Sequence, residues 1–119
     1  MTLKILIVDD EDELRSSLAE SFHLEDEDIV CLQAVSGNGA MKILEKEKID
    51  VILSDISMPD GDGMFLLRSI NEIFIKNRPK IYFFSGYEKE VASIYMKNGA
   101  NGFFEKPVSI QKILTEIKK

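Results

Sequence analysis

Five short apolar runs, separated by stretches with helical spacing, restrict the fold more than any other feature of this sequence. The runs cover residues 3–8, 29–35, 51–53, 81–84 and 102–104. The first, third and fourth runs are nearly continuous rather than alternating, which is typical of strands covered on both faces. Between the runs, apolar residues recur with helical periodicity, and in the last stretch they follow the amphipathic i, i+3, i+4, i+7 pattern at Ile110, Ile113, Leu114 and Ile117. The predicted element order is therefore βαβαβαβαβα.

Strict alternation of strands and helices predicts a parallel sheet with right-handed crossovers and helices on both faces. We therefore expect an α/β fold, a doubly wound three-layer sandwich. The 119 residues fit one domain, spanning 1–119, and 45% of them are apolar, which is ordinary for a globular core. The acidic stretch 25–28 is interpreted as a solvated loop rather than an interaction tail.

Charge and cysteine content exclude several function classes. The net charge of −6 argues against a nucleic-acid or anionic-membrane surface. Cys31 is the only cysteine, so no internal disulfide can form and a reducing compartment is expected. The first apolar run stops at Asp9, too early for a signal-peptide core, and no later run approaches the length of a membrane span. We expect a soluble, cytoplasmic protein.

Polar side chains follow four of the five apolar runs. Asp9 and Asp10 follow the first run, Asp55 follows the third, Ser85 follows the fourth and Lys106 closely follows the fifth. In open parallel sheets, sites form beyond the carboxyl ends of the strands, near the point where the strand order reverses. If the first and third strands are neighbours, the carboxylates crowd one small cavity.

Crowded carboxylates need a counter-charge. Two unit charges 4 Å apart repel by about 4 kcal/mol at an effective dielectric constant of 20. Such a group either takes up protons or binds a hard cation, and oxygen ligands without histidine or cysteine favour Mg²⁺. Because Mg²⁺ retains water and takes phosphate oxygens, the cluster indicates phosphoryl chemistry. Lys106 could pair with a phosphoryl oxygen, and Ser85 could donate a hydrogen bond to another.

Each of these residues also has a purely structural interpretation. Asp9 and Asp10 could cap the first helix and complement its dipole. Asp55 could cap a turn, and Lys106 could be a solvated lysine ahead of a helix that begins at Pro107, where proline is favoured. The coincidence of complementary groups at four strand ends favours a single site for one ion and one phosphate.

Taken together, these residues resemble the receiver domain of bacterial two-component response regulators. The resemblance covers essentially the whole chain and depends on a set of markers: Asp9, Asp10, Asp55, Met58, Pro59, Gly63, Ser85, Gly99, Ala100, Lys106 and Pro107. It implies a flavodoxin-like, five-stranded parallel sheet of order 2-1-3-4-5 with five helices.

The resemblance also implies a role for each residue of the site. Asp55 would be the nucleophile that takes a phosphoryl group from a phosphohistidine on a sensor histidine kinase or a histidine phosphotransfer protein. Asp10, Asp55 and the backbone carbonyl of Ser57 would bind Mg²⁺, with Asp9 helping mostly through water. Lys106 would neutralise charge on the transferring group. On this interpretation the chain catalyses only its own phosphorylation and dephosphorylation and is not otherwise an enzyme.

A conformational switch follows from the same resemblance. Ser85 would hydrogen-bond the new phosphoryl oxygen, and Phe103 would turn into the space that Ser85 vacates. This movement would alter the face built from the fourth helix, the fifth strand and the fifth helix, where an unknown downstream protein or a second, phosphorylated copy would bind. Ser85 stands where threonine is commoner, Gly86 where alanine is usual, and Phe103 lacks the hydroxyl of the frequent tyrosine.

Smaller predictions concern the surroundings of the site. The resemblance predicts a cis Lys106–Pro107 peptide bond, and it predicts that Ser57 and Tyr87 tune phosphoryl lifetime by controlling water access. Five further side chains are assigned no role in the site: Phe83, Phe84 and Phe104 as core aromatics, His23 as a helix-surface residue and Cys31 as part of the second strand.

Three other functions are weighed against this one. A haloacid-dehalogenase-like, Mg²⁺-dependent aspartyl phosphatase would need an Asp-x-Asp-x-Thr/Val run, and the segment from Asp10 to Glu13 lacks its last member. A flavodoxin-like flavin protein would need a Ser/Thr/Gly-rich phosphate loop at a strand end. A degenerate receiver could act only as a protein-binding module. The sequence leaves open the cognate kinase, the output, and whether this receiver is free-standing or part of a longer regulator.

Overall fold

The computed structural model describes residues 2–86 and 89–119 and shows five strands alternating with five helices. The predicted order of elements is confirmed. In chain order the elements are β1 Leu3–Val8, α1 Asp12–Glu25, β2 Ile29–Ala34, α2 Gly37–Lys46, β3 Val51–Asp55, α3 Gly63–Ile73, β4 Lys80–Ser85, α4 Lys89–Lys97, β5 Gly102–Glu105 and α5 Ile110–Ile117.

The five strands form one parallel sheet in the order β2-β1-β3-β4-β5. This is the doubly wound arrangement and the strand order that the sequence resemblance implied. The order reverses between β1 and β3, because the chain adds β2 on one side of β1 and continues with β3 on the other. Open sheets of this kind bind their ligands at such a point, at the carboxyl ends of the strands.

A separate hydrophobic core lies on each face of the sheet. One core packs residues of α2, α3 and α4 against the sheet, and the other packs residues of α1 and α5 against the opposite face. Strand residues alternate between the two cores: Leu6 and Val8 face the first, whereas Ile5 and Ile7 face the second. Burial on both faces explains why the β1 run in the sequence is continuously apolar.

Side chains ahead of the helices determine where three of them begin. The Ser36 hydroxyl accepts a hydrogen bond from a backbone N–H in the first turn of α2, and Asp62 and Ser109 do the same for α3 and α5. The Ser109 cap starts α5 at Ile110, where the predicted amphipathic pattern also begins, so the alternative in which a helix begins at Pro107 is wrong. The Lys106–Pro107 peptide bond is cis, as the resemblance predicted.

Most minor sequence expectations agree with the structure, and one does not. Phe83 and Phe84 are fully buried and His23 is exposed on α1, as expected. Cys31 lies half-buried in β2. Phe104, however, is only partly buried, since it belongs to the edge strand β5 and lines a surface groove, so its interpretation as a plain core residue is wrong.

Among the described residues, none of the helices combines the length and apolar character that crossing a membrane requires.

Candidate functional site

The register of the sheet brings the first and third strand ends together. Val8 of β1 pairs with Ser54 of β3, so the next residues along the two strands, Asp9 and Asp55, lie side by side at the carboxyl edge. Asp10 follows in the loop that leads to α1. One carboxylate oxygen from each of these three aspartates lies within 4.8 Å of the others. The structure therefore assembles the acidic cluster that the sequence predicted.

The three carboxylates differ in their exposure to solvent. Asp9 is fully buried and Asp55 is 8% exposed, whereas Asp10 is open to solvent. The cluster therefore has a buried inner side, formed by Asp9 and Asp55, and a solvent-exposed outer side, formed by Asp10. Such an arrangement leaves the outer side accessible to an incoming group.

Asp9 is poorly accommodated as a bare carboxylate. Its Oδ1 accepts a hydrogen bond of 2.8 Å from the Glu11 backbone N–H, but its buried Oδ2 has no hydrogen-bond partner among the described residues. Burial raises the pKa of Asp9 above its ordinary value of 3.8, and the neighbouring charge of Asp55 raises it further, against the lowering effects of that hydrogen bond and of Lys106. A buried, unpaired carboxylate oxygen costs free energy unless a cation or proton compensates it.

The helix-capping alternative for Asp9 and Asp10 does not describe this structure. The N-cap residue of α1 is Glu11, and its side chain makes no capping hydrogen bond. The Oδ1 of Asp9 instead accepts a hydrogen bond from the backbone N–H of that N-cap residue, which restrains the carboxylate within the cluster with Asp10 and Asp55.

The donor set fits a hard divalent cation. All three candidate ligands are carboxylates, and the buried Oδ2 of Asp9 has no hydrogen-bond partner among the described residues that would offset its charge. Oxygen-only ligands and retained access for water are characteristic of Mg²⁺ rather than of zinc, which favours nitrogen and sulfur.

The carboxylate of Asp55 is held from two sides. Its Oδ1 accepts a hydrogen bond of 2.8 Å from the Ile56 N–H, and its Oδ2 lies 3.6 Å from the Nζ of Lys106. The Lys106 ammonium group also lies 5.3 Å from the centre of the buried Phe84 ring. Since Lys106 is 29% exposed, its charge is partly shielded from bulk water and remains free to approach a group bound at Asp55.

Ser85 and Lys106 are joined through the backbone. Ser85 is the last residue of β4 and is buried, and its carbonyl accepts a hydrogen bond of 2.7 Å from the Lys106 N–H. Ser57 lies exposed in the loop between β3 and α3. Tyr87, which the sequence analysis paired with Ser57, lies outside the described residues.

Phe103 lies on the side of β5 that faces α4. Its ring meets the ring of Tyr95 edge-on at 5.9 Å, and Tyr95 meets Phe83 edge-on at 4.6 Å. Beside Phe103, a groove of about 570 Å³ opens between α4, β5 and α5, with Met96 and Phe104 among its lining residues. The candidate switch residue therefore connects the interior of the sheet with this surface.

Arg15 is a site neighbour that the sequence analysis missed. Its guanidinium group donates hydrogen bonds to the Asp9 backbone carbonyl at 2.8 Å, to Asp12 at 2.7 Å and to Gln33 at 2.9 Å. It therefore holds the β1–α1 loop, which carries the acidic pair, against β2. The i, i+3 spacing of Asp12 and Arg15 was a usable signal for one of these contacts, whereas the other two depend on tertiary structure.

A cluster of aspartates faced by a lysine, at the carboxyl edge of a doubly wound parallel sheet, defines a class of phosphoacceptor proteins. Residues 5–118 match the family described as the response regulator receiver domain. This chain belongs to that family, and it is a phosphoacceptor receiver domain of two-component signalling.

Solved structures agree with this assignment. The beryllofluoride-activated NtrC4 receiver domain dimer is 33% identical, with a TM-score of 0.84, over 97% of this chain and 93% of that one. A receiver domain protein from Clostridium thermocellum is 30% identical, with a TM-score of 0.80 and coverages of 98% and 91%. A CheY-like receiver domain from Methanospirillum hungatei JF-1 is 26% identical, with a TM-score of 0.87 and coverages of 99% and 92%.

Proposed function

We propose that Asp55 is the phosphoacceptor, and that it takes a phosphoryl group from the phosphohistidine of a sensor histidine kinase or a histidine phosphotransfer protein. Receiver domains as a family interact with such donors. The single observation that carries the proposal is the position of Asp55 between two acidic neighbours, Asp9 and Asp10, on one side and the Lys106 ammonium group on the other.

The chemistry is a displacement at phosphorus. An oxygen of the Asp55 carboxylate forms a bond to phosphorus while the phosphorus–nitrogen bond of the phosphohistidine breaks. The electron pair of that bond stays on the imidazole nitrogen of the donor, and the donor leaves as a neutral imidazole because the other ring nitrogen of the phosphohistidine carries a proton when the bond breaks. The hydrogen bond from Ile56 N–H to Oδ1 fixes the orientation of the carboxylate before the donor arrives, so little reorganisation is needed.

Asp10, Asp55 and the Ser57 carbonyl would hold Mg²⁺, with Asp9 contributing mostly through water. When bound, the ion supplies positive charge that offsets the charge of the carboxylates and of the phosphoryl oxygens. Lys106 contributes a second positive charge from the opposite side, 3.6 Å from Asp55 Oδ2 before the reaction. The site contributes positioning and electrostatic stabilisation rather than a separate acid or base.

We also propose that the acyl phosphate on Asp55 drives a switch. The Ser85 hydroxyl donates a hydrogen bond to a phosphoryl oxygen, and Phe103 turns inward from its half-buried position beside Tyr95. The groove between α4, β5 and α5 changes shape as the Phe103 ring leaves its wall. The structure of the NtrC4 receiver, solved as an activated dimer, supports a phosphorylation-dependent homodimer as one output of this face.

The proposed chemistry separates a receiver from a phosphatase in one experiment. Incubated with Mg²⁺ and phosphoramidate, a small donor with a phosphorus–nitrogen bond, the chain should consume donor and acquire covalent phosphate. Incubated with p-nitrophenyl phosphate, it should release no product beyond a buffer control, because we propose that it catalyses only its own phosphorylation and dephosphorylation. Sustained turnover of the phosphomonoester would refute the proposal.

A further inference from the structure

Asp60 adopts a backbone conformation that is unusual for its residue type. Its φ angle is +61°, and Gly61 follows with a φ of +100°. Residues other than glycine rarely occupy this left-handed region, although aspartate and asparagine tolerate it better than most. A side chain kept at such a position needs compensating contacts, and strained positions of this kind are concentrated at functional sites.

The compensating contacts all run to the start of α2. The Asn38 side-chain amide donates to Asp60 Oδ1 at 2.8 Å, and the Ser36 hydroxyl donates to Asp60 Oδ2 at 3.2 Å. The backbone N–H groups of Gly37 and Asn38 donate to the carbonyls of Gly61 and Asp60 at 2.7 and 3.1 Å. We call these four hydrogen bonds the Asp60 clasp. The carboxylate also lies at the positive end of the α2 dipole, which favours a negative charge.

Little free space remains between the β3–α3 loop and the start of α2, the two segments that the clasp joins. A Cβ atom placed on Gly37 would come within 2.7 Å of the Gly61 carbonyl oxygen and 2.8 Å of the Phe65 ring. The loop between β3 and α3 therefore cannot shift toward α2, and the hydrogen bonds oppose a shift away from it.

The same loop carries part of the candidate site. The loop follows Asp55 at the end of β3 and includes Ser57. The Gly63 N–H, at its far end, donates a hydrogen bond of 2.9 Å to the carbonyl of Ile56, near its beginning. The side chain of Met58 is buried in the core, 7% exposed. Ser57 is exposed, and the clasp at Asp60 holds the outer part of the loop beyond Met58.

We propose that Asp60 is a positioning residue for the phosphoacceptor site: through the clasp to α2 it holds the β3–α3 loop so that the Ser57 carbonyl and Asp55 keep the spacing that binds the cation. This inference rests on the proposed function and deepens it, since it names the group that preorganises one wall of the site. Asp60 itself contacts neither the carboxylate cluster nor the substrate.

Three variants and a matched control test the clasp. Asp60→Gly removes both side-chain hydrogen bonds while suiting the positive φ angle. Asn38→Ala removes one bond from the opposite side and leaves Asp60 unchanged. Asp60→Asn keeps an acceptor for Asn38 and offers an amide to the Ser36 hydroxyl. The control is Asn77→Gly. Asn77 also has a positive φ, +57°, but it precedes β4 and so lies near the amino ends of the strands, away from the carboxyl edge that carries the site.

Two readouts do not depend on phosphorylation. Mg²⁺ affinity is measured by calorimetry, and exchange of the Gly37 and Asn38 amides is followed by NMR. Direct outer-shell partners of metal ligands typically change affinity about 10–100-fold, so for this more distant clasp we expect about a 3–10-fold loss in Asp60→Gly. Asn38→Ala should show a smaller loss in the same direction, and Asp60→Asn and Asn77→Gly should remain near the wild type. Amide exchange at Gly37 and Asn38 should accelerate in Asp60→Gly.

The outcomes separate this inference from the proposed function. If the wild type takes up phosphate and Mg²⁺ but neither Asp60→Gly nor Asn38→Ala changes Mg²⁺ affinity, the positioning role is refuted and the proposed function stands. An equal loss of Mg²⁺ affinity in Asn77→Gly would also refute the positioning role, because the loss would then reflect a general change in protein stability. If Mg²⁺ affinity and amide exchange respond as expected but Asp55 never accepts phosphate, the clasp is supported and the proposed function fails.

Discussion

The Nζ atom of Lys106 lies 3.6 Å from Oδ2 of Asp55, although the two residues are 51 positions apart in the chain. They meet because β5 and β3 both end at the carboxyl edge of the sheet, separated by β4. The ammonium group is thus positioned to compensate charge that the carboxylate gains when it becomes an acyl phosphate.

Replacing Lys106 tests that electrostatic role. Lys106→Met keeps an unbranched side chain over Phe84 but removes the charge, and we expect phosphorylation by acetyl phosphate to slow by about 10-fold or more. The initial rate is measured by mass spectrometry of the intact protein. Lys112→Met, a change at an exposed lysine of α5, is the control and should match the wild type. Equal rates in all three proteins would show that Lys106 does not stabilise the transferring group.

Removing the charge of Asp9 should stabilise the metal-free protein. Because burial raises the pKa of Asp9 above 3.8 in the folded state, the native protein binds this proton more tightly than the unfolded chain does. The stability linked to this group is therefore fully present below pH 3.8, falls as the pH rises through the raised pKa, and is absent at neutral pH. Asp9→Asn should therefore raise the free energy of unfolding at pH 7 by on the order of 1 kcal/mol, which corresponds to a rise of roughly 3–6 °C in melting temperature.

Calorimetry in the presence of EDTA, and then with Mg²⁺, measures this effect. Because Mg²⁺ binds the native state, it should raise the melting temperature of the wild type, and it should raise the melting temperature of Asp9→Asn by less. Asp28→Asn, in the exposed turn before β2, should leave both values unchanged. A lower melting temperature for Asp9→Asn in EDTA would contradict the view that Asp9 is an uncompensated buried carboxylate.

The thiol of Cys31 should be almost inert in the native protein. Burial raises its pKa to about 11. At pH 8 about one thiol in a thousand is then ionised, and the thiolate is the reactive form. Iodoacetamide should therefore label the native chain far more slowly than the chain unfolded in guanidinium chloride. Comparable labelling rates in the two states would show that the thiol is exposed and ionises normally.

The proposed movement of Phe103 can be followed optically, because the chain contains no tryptophan. Phe103→Trp places a single indole at the half-buried switch position. Adding Mg²⁺ and beryllofluoride, a phosphoryl mimic, should shift its emission to shorter wavelength as the ring moves inward. The same variant carrying Asp55→Asn should show no shift. An unchanged spectrum in the variant with Asp55 intact would argue that Phe103 does not respond to the site.

The sequence predicted the fold well because its strongest signals are local. Continuous apolar runs such as that of β1 identify strands buried on both faces, and the polar residues that end them identify the edge that carries the site. The strand order came only from the family resemblance, since nothing in the local pattern says which strands are neighbours. The sequence did not predict the contacts of Arg15 with Gln33 or of Asp60 with Asn38, because they join segments 18 and 22 residues apart.

The errors have local causes too. The alternative in which a helix begins at Pro107 rested on the preference for proline at the first position of a helix, but Ser109 provides the N-cap and α5 begins at Ile110. Phe104 looked like a core residue because it is aromatic and lies in a strand. Since β5 is an edge strand, one side of its ring remains at the surface, next to Tyr82 at 5.8 Å.

The most direct test of the central claim is mass spectrometry of the intact protein after treatment with acetyl phosphate and Mg²⁺. The wild type and Asp62→Asn, a change at the exposed N-cap of α3 in the same loop, should each gain one phosphate. Asp55→Asn should gain none, and EDTA should abolish the gain in the wild type and in Asp62→Asn. Phosphate on Asp55→Asn, or none on a folded, Mg²⁺-loaded wild type, would contradict the assignment of Asp55 as the phosphoacceptor.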